Sequence, residues 1–163
     1  MIAAALVALS LIGDQPFLAH GQTITRHHHV GGWTVRVIWD RFTGKIDCTV
    51  RKGHVELQND VLIFHEDQWA ADTADAVFRI DAGSPRNVHD VTYEDQRRGY
   101  YRNGGPLENP SAGEVALPTY YVVGASWVYI RANVKRAPDA FDVRNFADAL
   151  AAARHWKCPG LGP

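Results

Sequence analysis

The sequence predicts a mainly β protein: a single antiparallel β-sandwich-like domain with a C-terminal α-helix pinned by one disulfide. Three observations lead there. Several short stretches alternate large apolar and polar residues, the period of a half-buried strand. One segment near the end carries an apolar stripe at helical spacing. The two cysteines, Cys48 and Cys158, fall in an early strand and just past that helix.

The strands are taken in order. Trp33 to Trp39 alternates cleanly, and Asp40 to Lys45, with Gly44, reads as a turn. Ile46 to Arg51 alternates again and puts Ile46, Cys48 and Val50 on one face, so Cys48 points toward a buried partner. Val61 to Phe64 and Ala76 to Ile80 are two further strands. Val91 to Tyr101 reads as a short helix with Glu94, Asp95, Arg97 and Arg98 on its wet side. The stretch RNGGPLENPSAG at 102–113 is a loop, because its glycines and prolines interrupt any ladder. Val115 to Val123 and Ala125 to Val134 are expected as a strand pair turning near Gly124, rich in β-branched and aromatic residues. In FDVRNFADALAAARHW, Asp142 is the expected N-cap of a helix over about 143–156, whose Val143, Phe146, Ala147 and Leu150 share a face. Pro159 and Gly160 end it. The expected domain covers 33–163 with about six to eight strands.

The first residues point to a compartment. MIAAALVALSLIGDQPFLAHGQ has an apolar run followed by Ala19-His20-Gly21, so residues 1–21 resemble a cleavable signal peptide, although no Lys or Arg precedes the run. A spanning helix needs roughly 20 apolar residues, about twice this run, so no stable membrane anchor is expected after cleavage. Residues 22–32 are expected to form a flexible, histidine-containing segment. The expected location is periplasmic or secreted, where thiols oxidise, and Cys48 and Cys158 are read as one disulfide. The chain has 17 Lys and Arg against 18 Asp and Glu. This balance gives no reason to expect nucleic acid or an anionic membrane as a partner.

The candidate chemistry is sparse, and no residue is assigned a catalytic role. In TRHHHVGGW, His27 and His29 would share one face of an extended chain and could hold zinc, copper or nickel, with further ligands sought from His54, His65, His89 or His155. The other reading of the same stretch is a solvated polar tether. FHEDQW begins like HExxH, but Trp69 stands where the second histidine belongs. VGASWV gives Gly124-x-Ser126 followed by Val128 in place of a second glycine, so a small hydrolase built on Ser126 is the third reading. No Walker loop or GxGxxG is present, and Asn109-Pro110-Ser111 is disqualified as a glycosylation sequon by its proline. Tyr100-Tyr101 beside Arg102 and Asn103 is the candidate ligand or partner surface, and Tyr120-Tyr121 could present one ring in the same way. Packed tyrosines with locally satisfied hydroxyls are the alternative.

Three stretches, GGWTVR at 31–36, FRIDAG at 78–83 and FDVRNFADALAAAR at 141–154, resemble in order the invasion-associated locus B family of exported bacterial proteins. The chain departs from that family in lacking its extra cysteines and in placing Asn145 where a glycine usually precedes the Phe. The resemblance implies a β-rich envelope protein and transfers no catalytic residue. Together these readings lead to the expectation of a secreted or periplasmic, non-enzymatic domain that binds a protein or small ligand in the cell envelope. A periplasmic transition-metal-binding protein is the second reading.

Overall fold

A computed structural model of the chain describes residues 23–65, 73, 75–101, 107, 113–132 and 137–161. Ten strands and three helices lie among them, in the order β1 (Thr23–Val30), β2 (Trp33–Asp40), β3 (Ile46–Lys52), β4 (Val55–Gln58), β5 (Val61–His65), β6 (Val77–Ile80), β7 (Arg86–Asn87), α1 (Val88–Arg97), β8 (Glu114–Pro118), α2 (Thr119–Val122), β9 (Trp127–Arg131), β10 (Asp139–Asp142) and α3 (Phe146–His155). The strands form a six-stranded sheet, β1-β2-β3-β4-β5-β8, and a four-stranded sheet, β10-β9-β6-β7. Every pairing is antiparallel.

The first five strands are a meander, and three of its turns are two residues long. Gly31 and Gly32 join β1 to β2 at φ 54° and 88°, the double positive-φ geometry that matches strand twist and suits glycine. Gly53 (φ 54°) and Asn59 (φ 55°) serve the next two tight turns. The alternation then decides the core. Trp33, Val35 and Val37 of β2, Val50 of β3, Val55 and Leu57 of β4, and Leu62 and Phe64 of β5 are all buried on one face of the sheet. Phe78, Val128 and Ile130 face them from the second sheet, while Phe146, Ala149, Leu150 and Ala153 of α3 complete the same cluster. β5 is buried on both faces, because Val61 and Ile63 meet Leu107, Ala116 and Tyr100 on the other side.

Cys48 of β3 is bonded to Cys158, with a Cα–Cα separation of 5.6 Å. It fastens the end of α3 across the sheet, as the placement of the two residues predicts.

Several elements differ from the sequence expectation. Residues 23–30, expected to be flexible, form the edge strand β1. Ile24, His28 and Val30 supply its half-buried face, and the His28 ring stacks on Trp156 at 4.9 Å. The Arg26 guanidinium lies 5.0 Å from the same indole. The expected strand pair around Gly124 does not form. β8 ends at Pro118, the chain turns through α2, and β9 pairs in the other sheet. The first helix begins earlier than expected, at Val88, where the Asn87 side chain accepts the His89 N–H at 2.8 Å as an N-cap. Asp95 of that helix is buried and not on its wet side. Asp142 is the last residue of β10, so Asn145 takes the N-cap position, in a left-handed conformation at φ 62°.

The disulfide encloses a sequence separation of 110 residues. On the chain-entropy model such a closure stabilises the fold by roughly 4 to 5 kcal/mol. Cys158→Ser is expected to lower stability by about that amount in denaturant titration, with Cys48→Ser matching it. A loss in the double variant equal to either single variant would show that the bond, and not two separate thiol contacts, is responsible.

Candidate functional site

Strand β9, WVYIR, is where the core and the surface separate most clearly. Val128 and Ile130 are buried, so Trp127, Tyr129 and Arg131 emerge together on the outer face of the four-stranded sheet. The Trp127 and Tyr129 rings are stacked, with centroids 6.5 Å apart and planes 29° from parallel. On β6, Arg79 stands directly across from Tyr129, and its guanidinium lies 4.6 Å from that ring. Arg144, between β10 and α3, lies 5.4 Å from the Trp127 ring. Among the described residues neither Arg79 nor Arg131 pairs with a carboxylate.

Each end of this stripe opens into a hollow. Beyond Tyr129, a hollow of about 200 Å³ is bounded by Arg79, Arg131, Pro85 and Pro138. Beyond Trp127, a polar cleft of about 380 Å³ is lined by Gly31, Lys52, Ser126, Asp142, Arg144 and Asn145. A further hollow of about 260 Å³ shares Lys52 and Asp142 with it. The cleft therefore collects the β1–β2 turn, the end of β3, the turn before β9 and the start of α3 at one pole of the sandwich.

Asp142 organises the pole. Its carboxylate receives Arg144 Nη2 at 2.7 Å, Arg144 Nε at 2.9 Å, the Arg144 backbone N–H at 3.0 Å and Lys52 Nζ at 3.1 Å. The Arg144 hydrogen bonds, assisted by Lys52, hold the Asp142 carboxyl well below the usual carboxylate range. Asp81 plays a quieter part, accepting the backbone N–H groups of Ser126 at 3.1 Å and Trp127 at 2.8 Å. Those bonds fix the start of β9 and so the direction of the Trp127 ring. Arg79 and Arg131, unpaired with any carboxylate among the described residues, make the Tyr129 end of the face cationic, while Lys52 and Arg144 are paired with Asp142 at the pole.

The residues singled out from sequence fall elsewhere. Tyr100 is half-buried and lies 5.5 Å from the Tyr120 ring, with its body against the small cluster under β5 and β8. Tyr101 is 54% exposed. Arg102 and Asn103 lie outside the described residues. Tyr120 donates its hydroxyl to the buried Asp95 at 2.5 Å and receives Arg98 Nη1 at 3.3 Å. Burial, reinforced by the bond to Asp95, raises the Tyr120 hydroxyl far above the usual phenol range, so it stays protonated. That tyrosine is a structural donor.

His27 and His29 do share the exposed face of β1, while His28 turns inward. Across the strand pair, His27 faces Arg36 and His29 faces Thr34, whose hydroxyl lies 3.2 Å from His29 Nδ1. Among the described residues no group of three His, Cys, Asp or Glu side chains is placed to hold a metal ion. Ser126 borders the cleft, but among the described residues no histidine bonds to its hydroxyl, and the geometry forms no nucleophile–base pair. His65 lies 3.4 Å from Glu114, and Glu66 and Asp67 are outside the described residues.

Sequence reasoning read Trp127 and Tyr129 only as strand formers. The signal that would have found them is the alternation itself: with Val128 and Ile130 inside, the two largest residues of the strand must face out. No family model, curated protein or solved structure matches the chain.

Two outcomes follow. Asp142 has a folded-state pKa below its unfolded value, so its contribution is present above the ordinary carboxylate range and is lost as pH falls through the depressed one. Asp142→Asn is expected to cost about 1 kcal/mol in denaturant melts at neutral pH. Its gap from the unaltered chain should narrow progressively below about pH 4, and a pH-independent gap would show that the charge is not responsible. Separately, with two imidazoles beside a guanidinium and no third ligand among the described residues, equimolar zinc, copper or nickel should leave the Tm of the untagged chain where EDTA leaves it. A chelator-reversible rise abolished by His27→Ala would restore a metal site.

Proposed function

We propose that the chain is an exported, non-enzymatic domain that binds a ligand of the bacterial cell envelope, and that the outer face of the four-stranded sheet is its binding surface. The observation that carries this reading is the pair of partly exposed rings, Trp127 and Tyr129, with Arg79 and Arg131 at the Tyr129 end, which no carboxylate neutralises among the described residues. Aromatic and arginine side chains are the types enriched where surfaces are buried on binding, because each offers a large area with a polar edge. A face kept only for solubility has no use for an indole beside a phenol.

Export is supported by the Cys48–Cys158 bond, which persists in oxidising compartments, and by the signal-like first residues. No helix among the described residues is long and apolar enough to cross a membrane. One of the two departures from the invasion-associated locus B family, Asn145, falls at a position whose backbone explains the residue type. Asn145 occupies a left-handed conformation that only glycine and a few short polar residues adopt readily, so Asn can stand where that family has glycine.

The surface assignment is tested by hydrogen exchange of the full chain with and without a soluble envelope fraction. Protection is expected along β9 and β6, and it should vanish in Trp127→Ala while surviving in Tyr101→Ala. Protection confined to α1 and lost in Tyr101→Ala would move the surface to the tyrosine end of the molecule.

A further inference from the structure

We infer that the turn between β2 and β3 docks the protein on an anionic lipid surface, a contact separate from the β9 face. The edge of the six-stranded sheet gives this turn its reach. β3 pairs with β4 only from Val50 onward, and Ile46 to Thr49 pair with β2 alone, so the sheet is three strands wide there and ends in the turn. Ile24, Trp39 and Ile46 lie in register across those strands, on the face that carries the core further along. Here that face runs past its cover. Trp39 is 44% exposed, and the Arg41 guanidinium lies 6.0 Å from its ring.

The turn itself is tightly held. The Asp40 carboxylate accepts the backbone N–H groups of Phe42 at 2.8 Å and Thr43 at 3.2 Å, and the Asp40 carbonyl accepts that of Gly44 at 2.8 Å. The Asp40 N–H donates to the Lys45 carbonyl at 2.9 Å. None of these bonds uses the Phe42 side chain. It stands 79% exposed, the most exposed large apolar side chain among the described residues. A ring already fixed by its turn loses little freedom when it is buried against a partner. The indole beside it suits the boundary between hydrocarbon and water. Arg41 and Lys45 flank Phe42, both exposed, and neither pairs with a carboxylate among the described residues. Cations around an apolar tip match phosphate headgroups lying over acyl chains.

The path of the chain selects lipid over a protein partner. Thr23 pairs with Asp40, so the chain enters β1 at the same end of the sheet as the turn. Residues 13–22 separate Thr23 from the apolar run of residues 2–12. That link spans at most roughly 40 Å when extended. A membrane that takes up the run during export therefore lies within reach of Phe42 and Trp39. The whole chain carries a formal charge of −1, so the attraction is local to the turn and the contact is reversible.

The test floats the full chain on vesicles of phosphatidylglycerol and phosphatidylethanolamine, and on vesicles of phosphatidylcholine alone. A background of Leu6→Asp with Leu9→Asp breaks the apolar run, so that the run itself does not hold the chain on the lipid. Binding to the anionic vesicles is expected, with a blue shift of tryptophan emission that Trp39→Phe removes. Phe42→Ser, at an exposed position, should weaken binding by about tenfold. Arg41→Gln with Lys45→Gln should weaken it by about tenfold as well and abolish the preference over neutral vesicles. Tyr93→Ala, which removes an exposed ring on α1, should change nothing. Absence of binding, or binding that Phe42→Ser leaves intact, would overturn the proposal. Two other results would overturn it by giving the turn another occupant. Protection of the turn from hydrogen exchange by a soluble envelope fraction and not by vesicles would mean a protein partner. Self-association without lipid that Phe42→Ser abolishes would mean a second copy of the chain. None of these outcomes bears on the β9 surface, which its own experiment decides.

Discussion

The fold turns on one buried indole. Trp33 has no exposed surface, so its N–H must find an acceptor inside the protein. It donates to the Arg144 carbonyl at 3.0 Å, 111 residues further along the chain. The ring also packs 5.1 Å from Phe146, the first residue of α3. These contacts decide where the chain passes from the second sheet into the last helix. Lys52 Nζ donates to the same Arg144 carbonyl at 3.4 Å, tying the end of β3 to that crossing. Once the Arg144 backbone is held from inside, its side chain is left at the pole, between the Asp142 carboxylate and the Trp127 ring. Core packing and the geometry of the proposed surface are therefore one constraint seen from two sides.

The two sheets divide the work. The inner face of the first is closed by the second sheet and by α3, and the strands at its far side are covered twice over. Its outer face near β1 to β3 carries polar side chains such as His27, His29 and Arg36, which suit solvent. The second sheet is small, and its outward positions on β9 are filled by large rings and an arginine. A close departure of Gly31 from its place would disturb both halves, because a methyl group there would occupy the space of the Asn145 side chain. The turn of the first hairpin is thus shaped to the start of α3 as well as to its own strands.

Much of the architecture was legible because it is local. Alternation in β2 and β3 is set by residues within each strand, β5 and β6 stand out as short apolar runs, and the face that alternation assigns to Cys48 makes the disulfide readable as well. The C-terminal helix announced itself by its apolar stripe, but not its start. Asp142 is a good N-cap by type, yet pairing with Trp127 in the sheet claims it first. β1 was not readable, because Thr23, Arg26 and His27 to His29 suggest a solvated segment until Trp156 supplies something for His28 to stack on. Asp95 looked like a surface residue because its partner, Tyr120, lies 25 residues away. The stripe on β9 was hidden for a related reason: a Trp or Tyr in an alternating strand reads as core until the opposite face is known to be filled.

The meander of β1 to β5 has a consequence for how the protein is made. Its hairpins are adjacent in sequence and joined by tight turns, so it can pair as soon as residues 23–65 have left the ribosome. Its apolar face is not fully covered until the strands of the second sheet and then α3, some eighty residues later, are synthesised. Nascent chains therefore pass through a stage in which a paired sheet presents bare valines and an unsatisfied indole. The cysteine near the end follows every strand and helix of the structure, so its bond to Cys48 can form only after the whole of the fold has been synthesised.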